Sequence, residues 1–501
     1  MNKYPNITKL LLASILSTLI IFPTPLFAAT ESSAKYLDNI VQVSSSGGHE
    51  YYFTHSLALD QNGVVWAWGE NFNGQLGNGI KGRNSAAVPV FKDVKKIDTT
   101  QSNSFALKND GTVWMWGDAN GLQGAGALNA YNDDFVTPIQ IKALSDIVDI
   151  QVGNFHILAL KSDGTVWTWG GSNGGVLGRP EWKESSAKAY TPMKVPGLQN
   201  IKSIYAGYGF SAATDEAGIT WAWGTLSSYF DIVNHQISKW APVKLFDFPI
   251  KEIDDMRSRI YVTKLDGTLW EVQQTLKLKQ IMKDVLTFNC VYNSCGVMKT
   301  SGEAIKFSDI NDIQKHGLVI NPLELKQIEF NYSTILLKTD GTVYSYGPIS
   351  SITGNEMIND PDYKKYANLT EKMVNEPQLR AVWKAIILKL NGQEVTLTTN
   401  PIVINGVSYV PLRGVIEQMG GQVQYDSGNI IVSNDQNLLK LKIRTTDASK
   451  NGQSMKLISP PLVIRGTTMI PLRFVSEGLG ASVEWDEKNR MITILTDHSI
   501  F

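Results

Sequence analysis

The sequence predicts a mainly β chain: a seven-bladed β-propeller followed by a smaller α+β domain made from a duplicated unit. Three observations predict it. A hairpin phrase with a turn glycine recurs seven times between residues 38 and 350. A strand carrying a proline follows the better-kept copies at near-constant spacing. A second duplication, offset by 60 residues, occupies the end of the chain. Such self-similarity marks units that bury their faces only against neighbours.

In chain order, a targeting segment comes first. Lys3 and Lys9 flank an apolar stretch at 10–21, which Pro23 and Pro25 interrupt before the small pair Ala28-Ala29. This is the layout of a signal peptide over 1–29, so a secreted or envelope-surface location is expected. No later apolar run is long enough for a membrane helix, so no permanent span is expected once the signal is removed. The 501-residue chain has 46 basic and 47 acidic residues, net −1; without Lys3 and Lys9 it is 44 against 47, net −3. That balance excludes a basic nucleic-acid footprint. A hydrophobic content of 43% excludes disorder.

The hairpin phrases are HSLALDQNGVVWAWG (55–69), SFALKNDGTVWMWG (104–117), HILALKSDGTVWTWG (156–170) and SAATDEAGITWAWG (211–224), with weaker copies at 261–272, 296–307 and 334–347. Apolar residues alternate at period 2 on both sides of an Asn-Gly, Asp-Gly or related turn, the signature of a tight β-hairpin. The turn glycines, from Gly63 through Gly111, Gly164, Gly218, Gly267 and Gly302 to Gly341, are spaced by 48, 53, 54, 49, 35 and 39 residues. A short strand precedes each hairpin, as in IVDIQVG (147–153). Pro89, Pro138, Pro192 and Pro242 mark a strand after it. Proline lacks an N–H, so these are expected at sheet edges. Four strands per unit and seven units give a propeller over 38–350. Nine of the 13 tryptophans lie in the phrases, where their bulk suits packing between blades. Residues 351–384 lack the pattern and are expected to form a linker with one helix around 362–384.

The first unit, with IVQVSSSG (40–47), HSLAL (55–59), WAWG (66–69) and GQLG (74–77), resembles the RCC1-type seven-bladed propeller. The family includes nucleotide-exchange factors for a small GTPase and secreted bacterial propellers that bind proteins, one of them a β-lactamase inhibitor. The resemblance therefore implies a protein-binding wheel. A GTPase-regulator activity by the same analogy conflicts with export, and the basic tail and long exchange insertion are missing.

Over 385–501, PIVINGVSYVPLRGVIEQMGGQVQYD (401–426) matches PLVIRGTTMIPLRFVSEGLGASVEWD (461–486). Each copy reads strand, turn, strand, short helix, strand. The helix is expected to begin at Pro-Leu-Arg, with proline in its first turn, and to stop at Gly420 or Gly480. Leu472, Val475 and Leu479 share one face, and Arg473 and Glu477 are placed to pair on the other. The pattern resembles the copper amine oxidase N-terminal-like domain, a stalk module of exported bacterial proteins. His498 is the only histidine in this region. A copper site is not expected, and no cofactor is expected anywhere in the chain.

Motifs for chemistry are sparse. Ser172 sits in a formal G-x-S-x-G, but its position after W-T-W-G makes it a repeat turn. His55 and His156 hold the same place in their repeats and read as scaffold. No catalytic residue is assigned. Cys290 and Cys295, the only two cysteines, fall on consecutive antiparallel strands and are expected to form a disulfide. The expected function is an exported, non-enzymatic binding protein whose rim engages an unidentified protein or cell-wall polymer, with Trp182 and Trp240 as contact anchors. The C-terminal module would act as spacer or envelope attachment. The alternative is an extracellular hydrolase or lyase, discriminated by convergent polar side chains with displaced pKa values in the propeller channel.

Overall fold

A computed structural model describes residues 36–496, outside 47–54, 120–133, 180–189, 225–239, 308–317, 321–324, 330–333, 348–377 and further gaps of one to three residues. The expected signal segment 1–29 lies outside the described residues. Seven four-stranded antiparallel sheets, each of consecutive strands, span 40–91, 94–140, 147–194, 201–246, 250–282, 285–320 and 325–381. We number them blades 1 to 7. Their first strands are Ile40–Ser45, Val94–Thr99, Ile147–Val152, Ile201–Ala206, Ile250–Met256, Val285–Val291 and Leu325–Glu329. These pack side by side from blade 1 to blade 6; that of blade 7 meets the second strand of blade 6, Ser294–Lys299, and returns onto that of blade 1. Pro89 and Pro138 lie in the outermost strands, Asn84–Phe91 and Phe135–Gln140. Pro192 and Pro242 precede theirs, Met193–Lys194 and Val243–Phe246, by one residue or less. A missing N–H costs nothing at any of these places.

A backbone latch repeats at the blade junctions. All seven turn glycines have φ between 77° and 84°. The carbonyl of a turn glycine accepts the first amide of the next blade: Val94 to Gly63 (3.0 Å), Ile147 to Gly111 (3.1 Å), Ile201 to Gly164 (3.0 Å) and Val285 to Gly267 (2.8 Å). Ile40 to Gly341 (3.0 Å) is the same bond between blades 7 and 1, so the ring closes with an ordinary junction. The residue ahead of the latch, Asn39, Asp93, Asp146, Asn200 or Asp284, is left-handed, which short polar side chains tolerate.

Tryptophans fill the junctions. Trp116 packs on Leu57, Leu59 and Val65 of the preceding blade, and Trp223 packs on Leu158, Leu160 and Val166. Trp169 meets blade 2, and Trp68 meets Ile335, Leu337 and Val343 of blade 7. The second Trp of each W-x-W-G is buried and the first is half-buried. The first keeps its indole N–H on the turn, as Trp66 does on Asp60 (3.2 Å) and Trp221 on Asp215 (2.9 Å).

The segment expected as a linker contributes to the ring. Gln378–Ala381 is a strand, not the end of a helix, and pairs with Val343–Gly347 as the outer strand of blade 7. The earlier part of the expected helix, 362–377, lies outside the described residues. Directly after the strand, the Val382 carbonyl accepts the Leu37 amide (2.8 Å) and the Ala385 amide reaches the Ala87 carbonyl of blade 1 (2.7 Å). Lys384 pairs with Asp38 (2.8 Å).

The C-terminal domain follows at once, its first strand being Ile387–Leu390. Its two copies meet in a sheet ordered Ile402–Ile404, Val407–Pro411, Thr467–Pro471, Leu462–Ile464. Val410 and Ile470, equivalent at the 60-residue offset, face each other across the central pair. Helices α1 (Leu412–Ile416) and α2 (Leu472–Gly478) follow. Pro411 and Pro471 occupy the N-cap position, one residue ahead of the expected first turn, because each also ends its strand. Leu472, Val475 and Leu479 enter a core shared with Val410, Leu412 and Ile416. Arg473 and Glu477 pair at 3.8 Å on the exposed face. Among the described residues no helix is long and apolar enough to cross a membrane.

Candidate functional site at the propeller channel

The first strand of each blade has its outer neighbour paired and its other edge free, facing the ring axis. Unpaired edges of this kind need covering. A bulge after the first residue sets the third and fifth positions on one face. The third positions hold Gln42, Lys96, Asp149, Ser203, Glu252, Thr287 and Gln327; the fifth hold Ser44, Asp98, Gln151, Tyr205, Asp254, Asn289 and Glu329. Nearly all are half-buried and polar.

These side chains reach the backbone of the next blade. Gln42 Nε2 donates to the Ile97 carbonyl (2.8 Å) and its Oε1 accepts the Ile97 amide (3.1 Å). Gln327 makes the same pair of bonds with Val43 (2.8 and 3.0 Å), which carries the pattern across the closing junction. Glu252 accepts from the Phe288 amide (3.0 Å) and the Thr287 and Thr263 hydroxyls (2.7 and 3.1 Å). Asp254 accepts from the Cys290 amide (2.6 Å), and Asp98 from the Val152 amide (3.0 Å).

Among the described residues, five carboxylates on the first strands therefore line one passage with few cations. Lys96 pairs with Asp149 at 2.5 Å. Burial is the main cause of the shifts of the other four. Asp98 is pushed up to about 6, with Lys96 pulling it down and Asp149 adding to the rise. Glu329 is pushed up to about 8, with the charges of Asp98 and Glu252 adding to burial. Glu252 is raised, and Asp254 is raised well above the usual carboxylate range, with Asp255 and Glu252 as further causes. Desolvation disfavours the charged form, and mutual repulsion compounds it.

Sequence reasoning missed this constellation. Aligning the first strands shows an acid recurring at the fifth position, in VKKIDT, IKEIDDM and LKQIE. Each strand alone looks like ordinary alternation. The two histidines belong to another set of ties. Ser104 donates to the Gln75 carbonyl (2.7 Å), so His55 Nε2 is the donor in its 2.8 Å bond to Ser104. His156, Ser211 and the Val176 carbonyl repeat the chain at 2.8 and 2.8 Å. Burial lowers His55 to about 3 and His156 to about 4, so both are neutral near pH 7.

Cys290 and Cys295 face each other in blade 6 and are joined as a disulfide, Cα to Cα 4.0 Å. Trp240 is half-buried at the turn before the outer strand of blade 4. Trp182 and Ser172 lie outside the described residues. A surface hollow of about 280 Å³ beside blade 4 is lined by Gln199, Asn200, Asp215 and Trp221, the last two bonded to each other in the hairpin turn (2.9 Å). Among the described residues no three His, Cys, Asp or Glu side chains converge as a metal site.

Comparison with known proteins agrees with this architecture. The regulator of chromosome condensation (RCC1) repeat matches 62–106 and 163–214 in one form, and 40–75 and 147–175 in another. The copper amine oxidase N-terminal domain matches 389–494. That stretch contains no histidine or cysteine, so the residues present do not suit a copper centre. The ultraviolet-B receptor UVR8 of Arabidopsis thaliana is 32% identical over 177 residues, 34% of this chain and 39% of the receptor. The human E3 ubiquitin-protein ligase HERC2 is 29% identical over 178 residues, 34% of this chain and 4% of the ligase. The chain thus spans well under two thirds of these relatives. Yeast RCC1 (Prp20), solved bound to Kap60, aligns at 20% identity and a TM-score of 0.44, covering 54% of this chain and 69% of that one. Repeated blades, hairpin glycines and the duplicated tail together establish a chain that carries an RCC1-repeat β-propeller joined to a copper amine oxidase N-terminal domain.

Proposed function

We propose that this chain is an exported, non-enzymatic binding protein. Its propeller offers a rigid rim to another protein or a cell-wall polymer, and its C-terminal module spaces the wheel from the envelope or attaches it there. The observation that carries this reading is the commitment of the polar side chains at the blade junctions. His55, His156, Glu252, Asp254 and the channel glutamines each hold a neighbouring blade, which leaves recognition to the loops between strands.

The raised channel carboxylates favour a second reading, hydrolysis or elimination on an extracellular substrate, because displaced pKa values gather at catalytic sites. One experiment separates the two. The full chain, immobilised, is exposed to the envelope fraction of the secreting cell. The binding reading expects saturable capture that survives Asp254→Asn, with the captured partner unaltered. Turnover of a wall polymer that Asp254→Asn abolishes would replace it with the catalytic reading.

A further inference from the structure

We propose that the channel wall is a proton-operated closure: the first strands hold a tight ring while Glu329 and Asp254 carry protons, and release of those protons as pH rises loosens the junctions they line. The argument starts from position. Glu329 ends the first strand of blade 7, and its Oε1 accepts from Gln327 Nε2 (2.8 Å). The same Nε2 donates to the Val43 carbonyl (2.8 Å), so Glu329 is one bond removed from the junction that closes the wheel. Asp254 accepts the Cys290 amide at the junction of blades 5 and 6, where Glu252 already accepts the Phe288 amide.

The charged and titratable groups around these two can be named strand by strand. Among the described residues the first strand of blade 1 contributes Gln42 and Ser44. Blade 2 contributes Lys96 and Asp98, and blade 3 contributes Asp149, which is paired with Lys96. Blade 4 contributes Tyr205, raised by burial and by the charges of Glu252 and Asp149. Blade 5 adds Lys251, Glu252 and Asp255, and Arg259 on its second strand pairs with Glu271 (3.6 Å). Blade 6 contributes Thr287 and Asn289, and blade 7 adds Lys326 at an exposed position. Among the described residues, anions outnumber the cations that reach the passage, so each ionisation works against the others.

The sign follows from linkage. A carboxyl whose folded pKa exceeds its unfolded value binds more protons when folded, so stability falls as pH rises through the folded value. For Glu329 that fall extends to about pH 8. The neutral histidines His55 and His156 act oppositely, but only below their unfolded value near 6.5. The window from about pH 6.5 to 9 therefore isolates the carboxyl groups.

The test is thermal unfolding of the full chain across that window at constant ionic strength. A falling Tm is expected, by several degrees from the acid to the alkaline end. Glu329→Gln, isosteric and uncharged, should match the parent at the acid end, exceed it at the alkaline end and flatten the slope. Amide exchange, corrected for intrinsic rate, should quicken at 40–45 and 325–329 at the alkaline end more than in the C-terminal domain. Asp254→Asn gives an independent reading at the blade 5–6 junction if Glu329→Gln does not fold. A Tm that is level or rises with pH overturns the proposal, as does a full slope retained in both variants.

Discussion

At the residue scale, the wheel depends on a few groups that have no local substitute. Ser211 donates to the Val176 carbonyl and receives the His156 N–H, all within a buried junction. Removing its hydroxyl leaves the buried His156 N–H unpaired, worth about 1–3 kcal/mol, while the Val176 carbonyl keeps the Trp223 indole N–H (2.7 Å). Ser211→Ala should therefore destabilise the chain by roughly that amount, measured by denaturant unfolding, and Ser104→Ala should do the same at the blade 1–2 junction. Loss of less than about 0.5 kcal/mol in both would show that the chain His–Ser–carbonyl is incidental. Gly341 is the sharper case. Its φ is +81°, and an added Cβ would stand 2.9 Å from the Asn39 amide nitrogen, at the closing latch. Gly341→Ala meets both backbone strain and a clash against main chain, which side-chain motion cannot relieve. A loss of about 1–3 kcal/mol is expected, with faster amide exchange at 40–45.

At the element scale, the hairpins were legible and the channel was not. Asp-Gly and Asn-Gly dictate left-handed backbone wherever they fall, so the turns could be read without neighbours. The channel side chains answer to a partner on another blade some 36 to 284 residues distant, as between Glu252 and Phe288 or Gln327 and Val43. Local alternation carries no record of that partner. Blade 6 lies between the two cases: its W-x-W-G is lost, yet its first two strands pair in register and carry the disulfide. The loop closed by Cys290 and Cys295 is short and already bonded as a hairpin. The chain-entropy relation gives about 2 kcal/mol as an upper figure. Cys290→Ser with Cys295→Ser should cost no more than that, and the loss should appear as faster exchange over 285–307. Intact mass before and after reduction should differ by two hydrogens. Unchanged mass would mean free thiols and remove the prediction with its premise.

At the scale of the whole molecule, the feature least visible beforehand is where the propeller ends. Seven hairpins end at residue 347, and nothing in 351–384 repeats their pattern, so the wheel looks complete there. The outer strand of blade 7 nevertheless arrives at Gln378–Ala381, after an interval far longer than in any other blade, with Pro377 just ahead of it in sequence as Pro192 and Pro242 are ahead of theirs. A strand recruited so late is fixed by the vacant edge it fills, which is a property of the folded ring. The residues that follow tie blade 7 to both flanks of blade 1, through Val382 to Leu37, Lys384 to Asp38 and Ala385 to Ala87, before Ile387 opens the next domain. The C-terminal module is thus continuous with the clasp that closes the wheel, and a tether there would transmit load to the closing junction. This argument separates two truncations. A chain ending at residue 386 keeps the strand and the clasp, and should unfold near the parent's propeller transition. A chain ending at 350 lacks both and exposes the edge of Val343–Gly347, so its Tm should fall by about 5 °C or more with a tendency to associate through that edge. Calorimetry with light scattering reads both effects. Equal transitions in the two truncations would show that the ring closes without the late strand.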